Sequence, residues 1–101
     1  MKTLGILGGM GPLATADLFR KITLKTKAQK DQEHIHILID SNTSIPDRTR
    51  SIIANGESPL KEMVKSARSL ENCGADFLIM SCNTAHYYYK DICSAINIPF
   101  L

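Results

Sequence analysis

Residues 3–14 read TLGILGGMGPLA, and the reading of this stretch decides the fold. Thr3 to Leu7 form a short apolar run without polar alternation, the pattern of a strand buried on both faces. It leads straight into the glycine-rich turn GGMGP. Pro12 suits the first turn of a helix, where its missing N–H costs nothing. From there to about Thr26, Ala14, Leu18 and Ile22 fall on one face with Phe19 beside them. The stretch reads as strand, tight turn, helix.

The same pattern recurs along the chain. His34 to Asp40 (HIHILID) predicts a second buried strand, which opens into the polar loop SNTSIPDR, its backbone fixed by Pro46. Arg48 to Asn55 are compatible with a short helix closed by Gly56. Ser58-Pro59 is a helix start, with serine as N-cap and proline at the first position. Leu60, Met63, Val64, Ala67 and Leu70 follow at helical spacing until Gly74 caps the C-terminus. Phe77 to Met80 is a third strand, and Thr84 to Ile96 a further helix with Ile92, Ala95 and Ile96 inward. Asn97 to Leu101 (NIPFL) opens a fourth strand. Apolar strands alternating with helices give βαβ units: a three-layer α/β fold with a parallel sheet of about four strands, flanked by helices on both faces. Parallel strands put all their carboxyl ends on one edge, where ligands bind. GGMGP, SNTSIPDR and SCNTAH therefore converge.

Composition narrows the function classes. With 101 residues, the chain fits one domain spanning 1–101. It is 44% hydrophobic and 22% charged, ordinary for a globular protein. A net charge of +2 is too small to argue for nucleic acid or an anionic membrane, and neither is expected as a partner. The basic stretch Arg20, Lys21, Lys25, Lys27 and Lys30 reads as a solvated face. MKTLGILGG lacks the layout of a signal peptide, and no apolar run approaches the ~20 residues of a membrane span. The three cysteines lack metal-ligand spacing and read as reduced thiols of a cytoplasmic protein. No metal site is expected.

Several residues carry candidate chemistry. Gly9-Met10-Gly11-Pro12-Leu13-Ala14 fits G-x-G-x-x-A after a strand, and Asp40 occupies the place of a ribose-binding acid. A nucleotide-binding module is thus one reading, although tight strand–helix turns recruit glycine for steric reasons anyway. Under any reading the loop offers backbone N–H groups at a helix N-terminus, a setting for an anion. Cys73 and Cys93 lie in helices and read as packing residues. Cys82 ends a strand just before a helix, where the dipole and free N–H groups lower a thiol pKa. It is either a buried small hydrophobe or a reactive thiol. Asn83 and Thr84 are natural N-caps that could equally donate to a substrate carboxylate. His86 either tunes Cys82 or is a polar first-turn residue, and Arg48 is either a surface charge or a carboxylate clamp. Tyr87, Tyr88 and Tyr89 point in three directions around a helix, so one or two of them are packing or interface residues.

Together, GILGGMGPLAT, IPDR, LENCGADF and above all CNTAH resemble the aspartate/glutamate racemase family, in its aspartate-racemase-like branch. The resemblance runs over the whole chain, in order. It implies a cofactor-independent racemase of two similar α/β domains, with one catalytic cysteine in each and a small acidic amino acid between them. On that resemblance Cys82 matches the first catalytic cysteine. Asn83 and Thr84 match contacts to the substrate carboxylate, Arg48 a residue reaching the side-chain carboxylate, and Met10 lies in the matching first loop. Such enzymes are about twice this length, and IPFL is an unfinished strand, so the chain reads as the N-terminal half of a racemase. The unpaired strand and apolar surface lead to an expected homodimer or larger assembly.

Overall fold

The computed structural model describes residues 2–46, 58–81 and 87–101. In chain order these form β1 (Thr3–Gly8), α1 (Pro12–Lys25), a 3-10 turn at Asp31–Glu33, β2 (His36–Ser41), α2 (Leu60–Asn72), β3 (Phe77–Met80) and α3 (Tyr89–Ala95). The expected helix over 48–55 and the start of the helix expected from Thr84 lie outside the described residues. The strands pair in the order β2-β1-β3, all parallel. The fourth strand is present as one parallel bridge, Leu78 to Phe100. Leu78 N–H donates to Pro99 O and Leu101 N–H to Leu78 O, each at 2.9 Å.

The period of two along each strand sorts the side chains onto two faces. Gly5, Leu7, Leu38, Leu78 and Met80 share the face that α2 and α3 cover. There Leu7, Met63, Ala67, Leu78 and Ile92 are wholly buried. The larger of these side chains, Leu7, Met63, Leu78 and Ile92, each contribute about 1.5–3 kcal/mol relative to staying in water. Gly5 leaves room for its neighbour on this face, since a Cβ there would meet Leu78 Cδ2 of β3 at 2.5 Å, while Leu70 Cβ of α2 lies at 3.4 Å. Leu4 and Ile6 point to the other face, where α1 lies over β1.

That second face departs from expectation. Of α1, only Thr15 is buried; Leu18 and Ile22 are half-buried, and Ala14 and Phe19 are exposed. β2 is not a buried strand either. It is the edge of the three-stranded sheet, with Ile39 40% exposed, because the helix on that face rests on β1.

The interior stripe of α2 matches its sequence period: Met63, Ala67 and Leu70 are buried, joined by Ser66. The helix begins one residue later than expected. Pro59 is its cap, and Ser58 Oγ accepts the Leu60 N–H at 3.3 Å. Its end is a Schellman motif around Gly74, whose φ of 106° is in the left-handed region. Gly74 N–H donates to Glu71 O at 3.1 Å and Ala75 N–H to Leu70 O at 3.0 Å. Cys73, expected to pack, is instead exposed, because the cap position turns it away from the stripe. Cys93 is half-buried against the core, as a packing residue should be.

Of the three tyrosines, Tyr88 is buried, Tyr87 is exposed and Tyr89 is half-buried. The Tyr89 hydroxyl donates to Phe100 O, and its ring lies 5.0 Å from that of Phe100, holding the last residues beside β3. No helix among the described residues is long and apolar enough to cross a membrane. The five basic residues of the 20–30 stretch are all exposed.

Candidate active site

β1, β2 and β3 run parallel, so Gly8, Ser41 and Met80 end at the same edge and their loops leave together. Gly9 has φ 95°, a backbone conformation that favours glycine. Its N–H donates to Thr15 Oγ1 at 2.9 Å. Thr15 is 3% exposed and its hydroxyl donates to Gly11 O at 3.0 Å. The same oxygen lies 3.2 Å from Ser81 Oγ. A hydroxyl has one proton and two lone pairs. With the proton on Gly11 O, Thr15 accepts from both Gly9 N–H and the Ser81 hydroxyl, and every group is satisfied.

Loop two is anchored as firmly. Asn42 N–H donates to Gly8 O at 3.2 Å, and Asn42 Oδ1 accepts the Ser44 N–H at 3.0 Å. The Asn42 amide donates to the buried Ser66 Oγ at 2.8 Å and to Glu62 Oε2 at 3.3 Å. From beneath, Met10 and Ile45 join the core cluster that also holds Tyr88. The two loops and the first turns of α2 are thus one knitted unit.

The expected site residues fall on both sides of the described set. Arg48, Cys82, Asn83, Thr84 and His86 lie outside the described residues. Ser81, the neighbour of Cys82 in the chain, is described and sits at the convergent edge. Met10 is in the loop as expected, but the residue is only 3% exposed and packs in the core. A hollow of about 280 Å³ opens beside Ser81, lined by Ala14, Asp17, Leu18, Lys21 and Met80. Within it, Lys21 Nζ pairs with Asp17 Oδ2 at 2.8 Å. Hydrogen bonding from Lys21 holds the Asp17 carboxyl below the usual carboxylate range. A larger hollow of about 750 Å³ runs along the outer flank of α2, past Lys61, Lys65 and Arg68, and touches none of these loops.

The glycines argue against a phosphate cradle. A Cβ on Gly8 would meet Thr15 Cγ2 at 2.5 Å, and one on Gly9 would collide with the Asn42 backbone. Protein atoms already fill the space these glycines leave, and the Gly9 N–H is taken by Thr15. Only at Gly11 does the loop face open space. Asp40 lines a hollow with Leu38, Ile39, Ser69, Leu70 and Cys73, none of which belongs to the glycine loop. The N-terminus of α1 nevertheless has no acidic residue in its first turn, so its positive end is uncompensated.

Thr15, Asn42, Ser66 and Ser81 were not singled out by sequence reasoning. The available signals were a threonine on the inner face of α1, and an asparagine at a strand end, where Asx-turns form.

Comparison with known proteins agrees with this architecture. Residues 7–101 match the family model described as Asp/Glu/hydantoin racemase. A broad-specificity amino-acid racemase, RacX, of Bacillus subtilis is 33% identical over 97% of this chain, which covers 44% of that protein. The aspartate racemase of Picrophilus torridus superposes with a TM-score of 0.93 at 38% identity, over all of this chain and 43% of that one. A putative Asp/Glu racemase from Yersinia pestis gives 0.81 at 29% identity, over all of this chain and 44% of that one. The chain therefore spans somewhat under half the length of these relatives.

Proposed function

Because this chain belongs to the Asp/Glu/hydantoin racemase family, we propose that it forms one half of a cofactor-independent amino-acid racemase in which Cys82 is one of two acid/base thiols. The observation that carries the reading is the convergence of three strand ends at one edge, with Ser81, the residue before Cys82, bonded to the glycine-loop unit. A strand-end thiol ahead of a helix is poised for deprotonation. As thiolate, Cys82 takes the α-proton, and the C–H electron pair passes into the α-carboxylate. A second thiol, from the half of the relatives' length outside this chain, returns a proton to the opposite face. No pyridoxal phosphate is required if donors around the α-carboxylate stabilise that charge; Asn83 and Thr84 are the side chains proposed for it. Arg48 is the side chain proposed to fork the side-chain carboxylate, and the loop that holds Met10 is proposed to border the substrate.

The substrate is proposed to be a small acidic amino acid, aspartate before glutamate. The solved aspartate racemase at 38% identity supports that order, while the broad specificity of RacX widens the class. The protein is proposed to work in the cytoplasm as a homodimer or larger assembly, without nucleic acid or membrane.

The test is racemisation in the full-length protein carrying this chain. Cys82→Ala should abolish conversion of L-aspartate to D-aspartate, measured by chiral chromatography, and Cys73→Ala should leave it nearly unchanged. Equal effects of the two substitutions would remove Cys82 from the mechanism. The 101 residues alone should not racemise at an enzymatic rate, since they hold one of the two thiols.

A further inference from the structure

Thr15 is the one buried residue of α1, and its hydroxyl meets three partners from two separate segments. Gly9 and Gly11 belong to the loop after β1, and Ser81 to the end of β3, 66 residues along the chain from Thr15. The site around Thr15 is built to fit it. Gly8 has no Cβ where the Thr15 side chain lies, and an added one would stand 2.5 Å from Cγ2 and 2.6 Å from Oγ1. A valine would fill that space equally well, so packing alone does not call for the oxygen. The oxygen's distinct work is to register the glycine loop against the strand end that leads into Cys82.

We propose that Thr15 and Ser81 form a positioning pair that fixes the direction in which β3 delivers the following residue, Cys82, relative to the glycine loop. The inference rests on the racemase reading of Cys82. Neither hydroxyl touches the reacting atoms. Their effect is geometric, and geometry is costly to lose: displacing a reacting group by about 1 Å can cost ~100-fold in rate. Substrate affinity depends on other residues, so the pair should act on turnover.

The test compares Thr15→Val, Thr15→Ser, Ser81→Ala and the double variant Thr15→Val/Ser81→Ala in the full-length protein. Thr15→Val keeps the shape and removes the hydroxyl; it should lower kcat for aspartate racemisation at least about tenfold, with KM within about threefold. Thr15→Ser keeps the oxygen and should recover kcat to within about threefold of wild type. The double variant should be no worse than the poorer single variant by more than about twofold, because Ser81→Ala removes a contact that Thr15→Val has already removed. Unaltered kcat in Thr15→Val or in Ser81→Ala, a Thr15→Ser as impaired as the valine, or multiplying effects in the double would each overturn the pairing. If Thr15→Val does not fold, Ser81→Ala, on a half-buried residue, must alone reproduce the loss in kcat. A wild-type protein that does not racemise, or a Cys82→Ala that does, is a different result: it removes the racemase reading and this inference with it.

Discussion

At Gly9 and Gly11 one loop holds two glycines for different reasons. Gly9 sits at φ 95° with the Asn42 backbone against it, so a side chain there meets both strain and collision. Gly11, at φ −102°, faces open space. Gly9→Ala should destabilise the fold by roughly 2 kcal/mol or more, lowering Tm by about 10 °C. Gly11→Ala should change stability by less than about 1 kcal/mol, with the sign toward stabilisation, because alanine restricts the unfolded chain. Thermal unfolding followed by circular dichroism separates the two, and equal losses would contradict the steric account. The sequence showed that this stretch turns sharply. It did not show which glycine is indispensable, because the atoms that decide it belong to Asn42, more than 30 positions away. A still longer separation, 66 positions, hid the Thr15–Ser81 contact.

At the scale of elements, local periodicity was a good guide where an element has one dry face. The stripe on α2 was legible residue by residue, as were β3 and the glycine cap at Gly74. β2 and α1 were less so, since their burial depends on which neighbour covers them. Cys73 shows the limit within one helix: a single position past the last full turn takes it from the packed side to solvent. Its exposure has a direct test. Cys73 should react with iodoacetamide faster than the half-buried Cys93, as followed by peptide mass spectrometry, and the reverse order would contradict the described end of α2. The Asp17–Lys21 pair adds a pH signature to α1. Asp17 is more acidic in the folded chain, so its contribution is present at neutral pH and is lost as pH falls through its lowered titration. An exposed i,i+4 pair is a small effect, so Asp17→Asn should lower Tm slightly at pH 7 and not at pH 2.

For the whole molecule, the contrast between the two sheet faces matters most. One is closed by α2 and α3, while the other leaves Ile39 and Ile35 of the edge region, and Phe19 of α1, open to water. An edge strand with exposed isoleucines invites pairing with another chain. The isolated 101-residue chain should therefore self-associate in a concentration-dependent way, and Ile39→Lys should shift it toward monomer in sedimentation equilibrium. A chain that stays monomeric at high concentration before the substitution would show that this face needs no cover. The parallel α/β arrangement was legible from the sequence because each strand is a short apolar run followed by turn residues. The open face was not, because nothing local tells an edge strand from a central one.

The absent side chain of Gly8 and the present one of Thr15 occupy a single volume. Descent with modification should then treat two positions as one locus. A lineage that acquires any side chain at position 8 must shrink or reorient the residue at position 15 in the same step. Doing so would surrender the oxygen that spans the loop and the strand. Drift at this corner of the protein is therefore expected to be paired or absent, even where the surrounding surface diverges freely.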